Sequence, residues 1–112
     1  MRKQNENQFR QGDVLLEKIG VIPSNASKVG NNIVALGESS NHGHFIYGGE
    51  LFCVQEELFI EANSQAELRH LNIHSLEPTS DHKTLNLPKG KYRVIHQREF
   101  DPYLDAVKRL QD

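Results

Sequence analysis

The chain is 112 residues long, with thirteen Lys plus Arg against fifteen Asp plus Glu and a formal charge of -2. That length holds one domain with one core, and the charge balance excludes the concentrated basic face of a general nucleic-acid binder. Cys53 is the lone cysteine, so no intramolecular disulfide can form. With neither a secretory signal nor a span-length apolar run, a reducing, cytoplasmic location is expected and no membrane association.

Residues 1–10 are polar and read as a flexible N-terminal segment. From Gly12 onward short apolar runs alternate with turn residues: "DVLLEKI", "NIVAL", "HFIY", "ELFCVQ", "ELFIEA", "AELRHLNI", "HKTLNL" and "KYRVIHQ". Gly30-Asn31-Asn32, Gly48-Gly49, Asn63-Ser64 and Pro88-Lys89-Gly90 are among the breaks between them. No internal stretch holds a helical period for three turns. The pattern predicts an all-β domain over residues 11–100, a small single-domain barrel or sandwich of about eight short strands. Cys53, inside "LFCV", reads as a buried structural thiol. Lys89, Lys91 and Arg93 read as a solvated turn.

The end differs. Asp101-Pro102 supplies an N-cap and a proline at the first helical position. Tyr103, Leu104, Val107 and Leu110 then recur at helical spacing, so residues 101–112 are expected to form one amphipathic α-helix.

Strand parity decides which histidines can meet, because residues two apart share a face. His42 and His44 share a face with Ile46; His70 shares one with Ala66, Leu68 and Asn72. His82 precedes a strand, and His96 lies with Tyr92 and Val94 on a face that can look inward. A His-x-His pair on a strand can direct both imidazoles at one divalent metal, given one or two further ligands. The spacing alone is weak, and polar histidines at a rim are the competing explanation. His74, in "NIHSLEPTSD", reads as exposed, and Glu50, after Gly48-Gly49, as a turn residue. Other chemistry has little support: Cys53 has no base beside it, and Ser39 and Ser40 near His42 lack an orienting third group.

In order along the chain stand "RQGDVLLEKI" (10–19), a glycine and His-x-His (37–44), "LRH" (68–70), His82 and "LPKGKYRVIHQREFDP" (87–102). This pattern resembles a group of short, functionally uncharacterised bacterial and phage proteins. The resemblance implies that His42, His44, His70 and His82 belong together. The chain departs from the pattern where "LNIHSLEPTSD" separates the later pair. A second likeness is to the cupins, metal-bearing β-barrels with His-x-His, a Glu and a later His. Here the Glu (Glu50) comes late and Arg93 stands where the last histidine belongs, with His96 three residues on. "GDVLL" is also similar to the opening of small co-chaperonin subunits. "HSL" and "HKT" faintly resemble elements of two-histidine phosphoesterases, for which the chain is too short.

Two functions are therefore expected alternatives. One is a metal site from His42, His44, His70 and His82, with His96 in reserve. It would take zinc first, or nickel or iron, and would support hydrolysis of a small substrate if a coordination position is open. The other is a non-enzymatic, metal-free binding or assembly module. Either is expected to self-associate, as a dimer, through edge strands or the terminal helix.

Overall fold

The computed structural model describes residues 7–37, 41–80 and 82–96. The expected helix over 101–112 lies outside the described residues. Eight strands follow in order: β1 (Gln8–Gln11), β2 (Val14–Ile19), β3 (Ser27–Lys28), β4 (Ile33–Leu36), β5 (His42–Val54), β6 (Glu57–Asn72), β7 (Leu85–Leu87) and β8 (Gly90–His96). All named pairings are antiparallel. The all-β expectation holds among the described residues.

The barrel does not. Among the described residues the strands form one sheet in the order β1-β2-β8-β6-β5-β3, with β4 on β5 and β7 on β6, and it is not closed. Its spine is the β5–β6 hairpin, in which "HFIY" joins "ELFCVQ" and "ELFIEA" joins "AELRHLNI". Gly48-Gly49 and Asn63-Ser64 are not turns between strands. They face each other across this hairpin, where the register jumps from Tyr47↔Glu67 to Gly49↔Ala62. The extra residues sit on β6, and Asn63 folds them with an Oδ1 that accepts from the Gln65 amide at 2.9 Å. Such a bulge bends both strands.

At that bend the sheet changes partners. Before it β6 pairs with β8, down to Ala62↔Gly90; after it β6 pairs with β7, from Ala66↔Leu87. On the other side β5 pairs first with β4 and then with β3. Two lobes of one sheet thus enclose a core of Val14, Leu16, Val34, Ile46, Leu51, Ile60, Leu68 and Tyr92, drawn from both. Tyr92 is fully buried, with its hydroxyl donating to the Pro88 carbonyl at 2.6 Å.

Several smaller expectations change. The chain joins the sheet already at Gln8, because "QFRQ" pairs with β2 and places Phe9 edge-on to Tyr92 at 5.9 Å. Cys53 is half-buried, since β5 is near the sheet's margin there and has only the two residues of β3 on its side away from β6. Lys91 and Arg93 lie in β8, where Arg93 bonds Glu17 at 3.0 Å. Glu50 is a strand residue opposite Glu61, ion-paired to Lys28 at 3.2 Å.

Gly48 carries the bend. Its φ is +74°, and a Cβ there would lie 2.9 Å from the Gln65 carbonyl oxygen. Gly48→Ala should cost roughly 1–3 kcal/mol, measured as a lower midpoint in urea. Gly20→Ala, with nothing within 4 Å, serves as the near-neutral control; equal midpoints for the two variants would contradict the bend.

Candidate histidine site

β5 and β6 pair so that His44 stands directly opposite His70, with His42 opposite Asn72. Opposed residues on one face have Cβ atoms about 4.5–5.5 Å apart, so this register alone joins three imidazoles. The His44 and His70 rings are 4.7 Å apart between centroids; His42 packs edge-on to His70 at 5.2 Å. His82 completes the group from the segment leading into β7, at 4.8 Å from His70 and 6.3 Å from His44. His44 and His70 are buried, at 5% and 7% exposure, whereas His42 and His82 are half-buried and form the outer side.

The long separation between His70 and His82 does not pull them apart. Residues 73–80 turn back on β6: the Asn72 amide donates to the Glu77 carbonyl, and Leu71 bridges Pro78. The Thr79 amide donates to the His70 carbonyl at 3.0 Å, and the Thr79 hydroxyl bonds His70 Nδ1. The detour therefore returns a hydroxyl to His70 and delivers His82 beside it. His74 is exposed on this turn, as expected. His96, held in reserve, pairs with Val14 at the end of β8 and is exposed.

Besides Thr79, three supporting residues were not picked out as site residues from sequence: Gln11, Gly12 and Asp13. Gln11 is buried, and its Nε2 donates to the Leu68 carbonyl at 2.9 Å and the Lys83 carbonyl at 2.7 Å. Both amide hydrogens are then used, so Oε1, 2.8 Å from His44 Nδ1, accepts. His44 must carry its proton on Nδ1, which in the neutral ring leaves the lone pair on Nε2. Gly12 and Asp13 form the two-residue β1–β2 turn. Gly12 has φ +61°, as a type II′ turn requires at its first central position. A Cβ on Gly12 would lie 2.8 Å from His82 Nε2, so the glycine also makes room for that ring. The signal was present in "RQGDV", where Gly-Asp reads as a hairpin turn before a strand.

Burial, above all, lowers the His44 pKa from 6.5 to about 4; the neighbouring His70, His82 and His96 push the same way, against the pull of Asp13. Among the described residues, no group of three or more His, Cys, Asp or Glu side chains is disposed to hold a metal ion as it stands. The four expected histidines are brought together, but their rings pack face and edge. Glu50 stands apart from them, beyond the bend, and the cupin-like set does not form.

The family described as "Domain of unknown function (DUF8820)" has a model that matches residues 10–97. The chain belongs to this family. The match runs from the last two residues of β1 through the end of β8 and includes all four histidines, Gln11 and Asp13. No curated protein and no solved structure matches the chain. Among the described residues of this DUF8820 domain, no helix is long and apolar enough to cross a membrane.

The depressed His44 pKa makes a stability prediction for the metal-free protein. Between about pH 4 and 6.5 the unfolded chain binds a proton at this residue that the folded chain refuses. Stability should therefore rise across that window, by up to roughly 3 kcal/mol from this group, and level off above it. Urea titrations in chelator should resolve the slope, and His44→Gln should remove its share of it. A slope unchanged in that variant would show that His44 is not the residue responsible.

Proposed function

We propose that the domain binds a divalent transition metal through His42, His44, His70 and His82. The observation that carries this reading is the convergence of four imidazoles from β5, β6 and the segment before β7, two of them buried. Imidazoles that share one metal at about 2.0–2.1 Å, in tetrahedral array, place their ring centroids roughly 5 Å apart. Three of the six pairwise spacings here are 4.7, 4.8 and 5.2 Å. Reaching a common point takes rotation of the rings about χ2, a broad and soft torsion. Nδ1 of His44 and of His70 is already engaged, by Gln11 and Thr79, the arrangement by which metal-binding imidazoles are commonly oriented. Nitrogen donors favour zinc, nickel or iron over magnesium or calcium. With the outer side of the group half-exposed, a metal position left to water would suit hydrolysis of a small substrate.

Because a metal that binds only the folded state stabilises it, zinc at a hundredfold excess over Kd should add ~2.7 kcal/mol. That corresponds to a rise in Tm on the order of 10 °C. The double variant His42→Ala/His44→Ala should lose the zinc-dependent rise. Wild-type melting curves that coincide with zinc and with chelator would sink the metal reading.

A second reading, an assembly module of bacterial or phage origin without metal, is favoured by one feature. Among the described residues the strand order ends on one side at β3, Ser27–Lys28, and a sheet margin is a template for pairing with a second copy. Light scattering on the full chain should give a dimer mass under this reading; a monomer mass at high concentration would reject it.

A further inference from the structure

The β1–β2 turn brings a carboxylate to the histidine group. Asp13 Oδ1 lies 3.6 Å from His44 Nε2, with the Asp13 side chain half-exposed and that of His44 buried. The Gln11 amide, which gives both hydrogens to backbone carbonyls, fixes the His44 proton on Nδ1. Nε2 is therefore the atom turned toward Asp13. A charge-assisted hydrogen bond between them would close to about 2.7–2.9 Å, and the observed separation is well beyond that. In the neutral ring, a lone-pair nitrogen lies 3.6 Å from a carboxylate oxygen: two acceptors with no proton of their own between them. Two donor atoms bound to one metal, each at about 2.0–2.2 Å, stand roughly 3–3.5 Å apart. The pair is near that spacing.

We propose that Asp13 is a further ligand of the same metal, so that the site is a histidine cluster closed by one carboxylate from the turn. This rests on the metal reading above. It changes the chemistry in two ways. An anionic oxygen offsets part of the charge of a divalent cation held by neutral imidazoles, and so strengthens its binding. It also adds an oxygen donor to a nitrogen set, which widens the suitable ions from tetrahedral zinc toward iron(II), nickel(II) and cobalt(II) with more than four ligands. The two-residue length of the turn is then functional, because Gly12 must clear His82 while the next residue carries the carboxylate.

The test is cobalt(II) titration of the full-length chain, followed by calorimetry and by visible absorption, which responds to the number and kind of donor atoms. Asp13→Ala should lower affinity at least tenfold and change the absorption spectrum, and Asp13→Glu should recover part of both. Asp13→Asn, which keeps the shape of the turn, is run beside them, and metal-free melting reports folding of each; if Asp13→Ala does not fold, Asp13→Asn decides. Weaker binding with an unchanged spectrum would show that Asp13 acts only as a nearby charge and would overturn the proposal. So would unchanged affinity, and in both cases the histidine metal site would stand. Wild-type protein that takes up no cobalt would overturn the metal reading and this proposal together.

Discussion

One buried amide holds the arrangement. Gln11 sits at the end of β1, one margin of the sheet, yet it bonds the backbone of β6 and of the segment before β7. In strand order β1 and β6 are separated by β2 and β8, so this contact exists only because the sheet curls over the core. The same side chain then sets the proton of His44. A buried amide with any of these partners missing would leave a polar atom unsatisfied, at a cost of about 1–3 kcal/mol. Curl of the sheet, position of the segment carrying His82, and tautomer of His44 are thus coupled through a single residue.

The bend at Gly48 is the other half of that geometry. Without it β5 and β6 would continue as one straight ribbon, and the lobe with β7 would not face the lobe with β2. The histidines lie on the far side of the bend from Glu50, which is why Glu50, eight positions from His42 in sequence, belongs to a surface ion pair with Lys28. The open groove there, about 530 Å³ and lined by Glu50, Glu61, Lys89 and Lys91, has both charge signs on exposed or half-exposed residues. It does not share side chains with the histidine group.

Much of the site was legible in the sequence, because the two-residue period of a strand is fixed by the pleat. His42 and His44 share a face, His70 goes with Leu68 and Asn72, and Tyr92 and Val94 point inward. The register that sets His44 against His70 was not legible, since it depends on how long each strand runs past a bulge. Gly48-Gly49 and Asn63-Ser64 have the composition of turns, and a bulge uses the same residues for the same backbone reasons. Reading them as turns split two long strands into four short ones. That kept the count near eight and made closure into a barrel look natural. His96 shows the limit of parity: it shares the face of Tyr92 and Val94, yet at the last residue of β8 it is exposed.

The contributions of Gln11 and Thr79 bear on why the imidazoles are buried at all. Val14 and Leu68 are fully buried close by in the chain and fold, so apolar side chains at positions 44 and 70 would fill the same space without a desolvation penalty. Instead the fold commits a buried glutamine to one ring and a returning loop to the other. Each engages Nδ1 of its histidine, which fixes the ring by one nitrogen. The two supports come from different parts of the chain: one from the first strand, the other from a detour after β6. A polar pair needed only to satisfy itself would not require two such distant parts of the chain. Each support holds one nitrogen of its ring, so the orientation of both imidazoles is set by parts of the chain outside the β5–β6 hairpin.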